Sequence, residues 1–148
     1  MWIDNDACPK RIREIILKAA GNRGILVKLV ANSFMRVKAR LVETICVSGD
    51  FNAADTFIAD NVSPDDLVIT ADVPLADLVV KKDAVAINPR GYLYTKENIG
   101  DRIAVRNVAH EMRSITDVSS GPSSLTDQDI QKFANLLDRE LTKLIKKK

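Results

Sequence analysis

Leu67-Val-Ile-Thr-Ala-Asp-Val-Pro-Leu-Ala-Asp77 is the stretch that decides the fold. Leu67 to Thr70 is short and strongly apolar, as a strand covered on both faces of a parallel sheet must be. Asp72 stands where a helix cap belongs. Pro74 then fits the first helical turn, where its missing N–H costs nothing. The helix it opens runs to about Lys82. A strand that passes through an acidic turn into a helix is the repeating unit of an α/β protein.

The same unit recurs outward along the chain. Residues 1–4 form a short first strand, and Pro9 opens a helix to about Ala20. Ile12, Ile15, Ile16 and Ala19 lie at helical spacing there, and Gly21 stops it. Ile25 to Val30 is a second strand, Val42 to Val47 a third ended by Ser48-Gly49, and Ala84 to Ile87 a fifth. A short helix spans about Phe51 to Asn61, and Ser63-Pro-Asp-Asp66 is a turn. The polar, basic segment Ala31 to Arg40 reads as a loop. A long amphipathic helix is expected over about 96–115 through Ile99, Ile103, Val108 and Met112, followed by a Gly-Pro-Ser loop over 117–124. Thr126 caps a last helix that ends in a flexible Lys tail over 143–148. The expectation is one α/β domain over 1–148, with a mostly parallel five-stranded sheet and helices on both faces.

Length and composition agree. A chain of 148 residues buries roughly 70% of its unfolded surface, enough for a core without staples. No apolar run approaches the roughly 18 residues of a membrane span, and the first residues carry no secretory signal pattern. Cys8 and Cys46 lack metal-ligand spacing, so they read as reduced thiols of a cytoplasmic protein, Cys46 buried in the third strand. Net charge is +2, too small to indicate a nucleic-acid partner alone. Its placement says more: basic residues gather in Lys10-Arg-Ile-Arg13, in Arg36-Val-Lys-Ala-Arg40 and in the tail. A basic rim around an acidic site suits a phosphodiester, while the tail reads as a solvated charge run. Aromatic residues are only 5% of the chain, leaving no stacking platform legible.

Ligands of doubly wound sheets collect beyond the carboxyl ends of the strands. Asp4, Asp6 and Asp72 fall there. Two carboxylates ~4 Å apart repel by about 4 kcal/mol at an effective dielectric near 20. Such a cluster takes up protons or binds a cation, and a hard divalent ion suits oxygen ligands. Asp6 serves equally as a cap for the first helix or as a second ligand. In the short helix, Asp55 lies at the edge of the stripe formed by Phe51, Ala54, Phe57 and Ile58, whereas Asp60 points to solvent. Asp77, five residues beyond Asp72, is off the ideal same-face spacing and reads as an outlying acid or an exposed one.

Asp4-Asn-Asp-Ala-Cys-Pro9, Asp50 to Asp60, Val68-Ile-Thr-Ala-Asp-Val-Pro-Leu-Ala76, Asn88-Pro-Arg-Gly91 and Gly121-Pro122 resemble the bacterial YaiI/YqxD family, over nearly the whole chain. That family looks like a PIN-type nuclease domain. The resemblance implies a Rossmann-like PIN-type fold with an acidic Mg²⁺- or Mn²⁺-dependent centre. Carried over, the metal-holding and catalytic acids are Asp4, Asp55 and Asp72, with Asp77 in a fourth place. The doubled Asp4-Asn-Asp6 departs from typical PIN domains and leaves Asp6 open as a further ligand. The implied activity is phosphodiester hydrolysis, RNA ahead of DNA, with Arg11, Arg36, Lys38 and Arg90 as candidate phosphate contacts.

Two other readings compete. Asp4-x-Asp6 after a strand also resembles haloacid-dehalogenase-type phosphatases, with Asp4 as nucleophile and Thr70 and Lys81 in support, but Pro9 leaves little room for that fold's insertion. A non-catalytic RNA- or protein-binding module is the third, since fold does not fix activity. His110 reads as a solvated or packed mid-helix residue, so Cys–His chemistry is not expected, and the glycines form no Walker-type loop. The last helix carries Ile130, Phe133, Leu137, Leu141 and Leu144 as a stripe suited to its own sheet or to a homodimer partner; its own sheet is the expected place.

Overall fold

The computed structural model describes residues 1–5, 8–33, 37, 39–48, 53–104 and 125–147. Along the chain run β1 (Trp2–Asp4), α1 (Lys10–Asn22), β2 (Val27–Ala31), β3 (Val42–Cys46), α2 (Ala53–Asn61), β4 (Leu67–Ile69), α3 (Val73–Lys81), β5 (Val85–Asn88), β6 (Tyr92–Tyr94) and α4 (Asp127–Lys147). The described part of the expected long helix is helical at 99–104. It begins at a capping box in which Thr95 Oγ1 accepts from Asn98 N–H and Asn98 Oδ1 accepts from Thr95 N–H. The rest of that helix and the 117–124 loop lie outside the described residues.

The strands form one sheet in the order β3-β2-β1-β4-β5-β6. The first five are parallel, and β6 pairs antiparallel with β5. The sheet therefore has six strands, not the five expected from sequence. The chain winds from β1 to one side and then to the other, so the strand order reverses between β1 and β4. That is the switch point where doubly wound sheets open a crevice.

The period-two alternation of strands divides the core in two. Ile3, Leu29, Leu67, Ile69 and Ile87 face α1 and α4, meeting Ile12, Ile16, Phe133, Leu137 and Leu141. Trp2, Val30, Val68, Ala86 and Tyr94 face α2, α3 and Ile99. The helices supply matching stripes: Ile12, Ile16 and Ala20 in α1 recur at four residues, and Leu75, Ala76, Val79 and Val80 do so in α3. The stripe of α4 thus lies on its own sheet. Arg11–Asp127 and Arg23–Asp138 pair α1 with α4 at nearly the same offset, so these helices run parallel.

Cys46 is exposed rather than buried. The cause is topology: β3 is the sheet's edge, and its residues are only half-buried or exposed. Asp60 is exposed, as expected.

Candidate functional site

Register places the site. Ile3 pairs with Ile69, and Ile69 with Ile87, so the next residues, Asp4, Thr70 and Asn88, form a row at the carboxyl edge. All three share the α2/α3 face by alternation. Asp4 is 3% exposed and Thr70 0%, a depth at which a carboxylate needs partners. Thr70 Oγ1 donates to Asp4 Oδ2 at 2.9 Å. The same oxygen accepts from Asp72 N–H at 3.0 Å. One hydroxyl therefore ties the acid of β1 to the turn after β4. Asp72 caps α3, its Oδ1 accepting from Leu75 N–H at 2.9 Å, with Pro74 in the first turn.

Asp55 stands in the first turn of α2, within hydrogen-bonding reach of both Asp4 and Asp72. Burial first, then the negative charges of Asp4 and Asp72, push its carboxyl from 3.8 up to about 7. Three acids drawn from β1, α2 and the β4–α3 turn are thus crowded enough that one holds a proton near neutrality. Among the described residues, no group of three or more His, Cys, Asp or Glu side chains is arranged as a ready cage for a metal ion.

Other expected site residues have partners of their own. Asp77 pairs with Lys81 at 2.9 Å on α3 and is not among the groups acting on Asp55. Arg11 is exposed, 3.9 Å from Asp127. Arg90, in the β5–β6 turn, donates to Asp129 Oδ2 at 3.0 Å. There it fastens the turn to α4, whose start is closed by Thr126 and Asp129 in a reciprocal cap. Asp6, Arg36 and Lys38 lie outside the described residues. Lys81 sits at the far end of α3 from Asp72, about 13 Å along the axis, and its partner is Asp77.

Two neighbours escaped the sequence reading. Thr70 was weighed only for the phosphatase alternative, yet it holds two of the three acids in place. Its position directly after an apolar strand, level with Asp4 across parallel neighbours, was the available signal. Arg13, not Arg11, turns inward: Nη1 donates to Asn5 Oδ1 at 3.0 Å. Cys8 lies close by, its thiol pushed up to about 12 by burial, against the pull of Arg13. It is a neutral S–H at physiological pH and no nucleophile.

Fold and site together define a doubly wound α/β protein with a carboxylate cluster at its switch point. The chain belongs to the uncharacterised YaiI/YqxD family, whose model matches residues 2–143. A UPF0178 protein of Geobacter metallireducens is 48% identical over 147 residues, 99% of this chain and 95% of the relative. UPF0178 proteins of Maridesulfovibrio salexigens and Psychromonas ingrahamii are 44% and 46% identical, each over 97% of this chain and 95% of the relative. None of these names states an activity. No solved structure matches the chain.

Proposed function

We propose that the protein is a metal-dependent nuclease of PIN-like design, hydrolysing phosphodiester bonds at a Mg²⁺ or Mn²⁺ centre, RNA ahead of DNA. The observation that carries this reading is Asp55, whose carboxyl is driven up to about 7 by burial beside Asp4 and Asp72. Crowded carboxylates that raise one another's pKa are the setting in which a cation lowers the electrostatic cost. Carboxylate oxygens alone make up the donor set, which fits a hard divalent ion. Asp4, Asp55 and Asp72 would hold it, with Asp6 as a further candidate ligand. A bound ion would activate water and offset charge on the scissile phosphate.

The chain's own residues supply rigidity and proton balance. Thr70 holds one oxygen of Asp4 and the backbone of Asp72, fixing the distance between two strands' acids. The helix cap fixes the Asp72 rotamer by one oxygen. Asp55 would give up its proton on binding a cation. A second reading is a nucleic-acid-binding module without turnover, since fold does not fix activity.

Calorimetric titration of Mn²⁺ and Mg²⁺ into the wild type and Asp55→Asn tests the reading. Expected are binding with proton release near pH 7, loss of the release in the variant, and cleavage of RNA by the loaded wild type. RNA binding with neither metal uptake nor cleavage would establish the module instead.

A further inference from the structure

The row of residues at the carboxyl edge does not stop at Asn88. Asn88 pairs with Tyr92 of β6, so Asp4, Thr70, Asn88 and Tyr92 lie level across four neighbouring strands and share the α2/α3 face. Asn88 Nδ2 donates to both Tyr92 Oη and Tyr94 Oη at 2.8 Å. Its Oδ1 accepts from Arg90 N–H at 2.7 Å. These bonds anchor the Tyr92 ring by its hydroxyl, and Tyr94 meets it edge-on at 5.3 Å. On the Tyr92 ring lies the Arg102 guanidinium, 3.7 Å from the centroid.

Arg102 makes no ion pair with any described residue. Arg11, Arg23, Arg90 and Arg139, by contrast, pair with carboxylates of α4. Arg102 instead spends its face on an aromatic ring. Stacking fixes the guanidinium plane and leaves its N–H edge as a pre-oriented fork for a phosphate. The cation stands three strands from Asp4, about 14 Å at ordinary strand spacing. That is far enough to hold a nucleic-acid strand beyond the bond at the acids, and close enough to share one bound strand.

We infer that Arg102, stacked on Tyr92, is a backbone-phosphate contact for single-stranded nucleic acid lying along this sheet edge. The inference rests on the nucleic-acid reading above and adds the direction in which the strand runs, from the acids across β4 and β5 to β6. Tyr92 is a positioning residue, since it acts through Arg102.

The test is fluorescence anisotropy with an oligouridylate of about 12 nucleotides, in EDTA so that nothing is cleaved, across a salt series. Arg102→Gln should weaken binding about five- to tenfold and lower the slope of log affinity against log salt by about one. Arg102→Lys should recover the slope but not the full affinity. Tyr92→Phe, which keeps the ring but loses its anchor, should weaken binding less than Arg102→Gln, and Tyr92→Leu should reproduce the Arg102→Gln loss. Mn²⁺ affinity should be unchanged in Arg102→Gln, and the melting temperature should fall by no more than about 2–4 °C, the effect of one lost cation–π contact. Wild-type affinity and slope in Arg102→Gln would overturn this contact and leave the nuclease reading standing. A wild type that binds neither this RNA nor its DNA counterpart would overturn both. Weakened RNA binding together with a larger fall in melting temperature and lost Mn²⁺ affinity would show a structural role and overturn the contact.

Discussion

Replacing Asp55 by Asn should make the metal-free protein more stable at alkaline pH and leave it unchanged in acid. The folded state holds the Asp55 carboxyl at about 7 against 3.8 ordinarily, by burial and the charges of Asp4 and Asp72. Below 3.8 both folded and unfolded chains carry the proton, and no penalty arises. As pH rises towards 7 the unfolded chain releases it while the folded chain keeps it, so stability falls through this window. Above it the folded chain pays the whole cost of a third crowded charge. At about 1.4 kcal/mol per tenfold change, the full displacement corresponds to about 4 kcal/mol. Asp55 is only partly buried, and screening by water reduces this to about 1–2 kcal/mol. Asn has nearly the shape of the protonated acid and never acquires the charge. Thermal unfolding in EDTA should therefore show Asp55→Asn melting about 3–6 °C above the wild type near pH 8, and level with it near pH 4. Equal or lower melting of the variant at both pH values would refute the crowding on which the site rests.

Three further outcomes follow from the same geometry. Thr70→Val keeps the shape but removes one donor from Asp4 and the acceptor of the Asp72 N–H, so urea unfolding should show a loss of about 2 kcal/mol, with Thr70→Ser recovering most of it. Gly91 has φ +94, and a Cβ there would meet Phe133 N and Lys132 Cβ at 2.6 Å; Gly91→Ala should cost about 3 kcal/mol, since the backbone of α4 must shift as well. Asp77→Asn breaks a pair between a half-buried Asp77 and an exposed Lys81, so stability should change by less than about 1 kcal/mol, and Mn²⁺ affinity measured by calorimetry should stay close to wild type.

Most of the architecture was legible because parallel strands advertise themselves. Leu67-Val-Ile69 is buried throughout, and an unbroken apolar triplet between a turn and a capped helix admits few other readings. The convergence of Asp4 and Asp72 also followed from strand order alone. β6 was missed because Tyr92–Tyr94 has three residues and two half-polar aromatics, and is made a strand by the Gly91 turn against β5. Cys46 was misplaced because Val42, Ile45 and Val47 give β3 an apolar sequence whether it lies at the centre or the edge. Only the pairing order reveals an edge. The pairing of Arg90 with Asp129, 39 residues away, lay beyond any local pattern. The proton on Asp55 was foreseen as one of two fates for crowded acids; which acid carries it depends on burial, which the sequence does not state.

The parallel pairing of α1 with α4 has a consequence for how the chain is made. Ile3, Ile12, Ile16 and Ile87 belong to the core layer that Phe133, Leu137 and Leu141 close. The first strand is central, and its neighbours β2 and β4 come from widely separated parts of the sequence. During synthesis, a chain that has completed all six strands still presents the part of that sheet face that α1 leaves uncovered until α4 is made. Such sheets, rich in long-range pairings, fold slowly and expose sticky surfaces meanwhile. Closure of this layer should therefore wait for α4, and chains stalled before it are the ones a chaperone would be expected to hold.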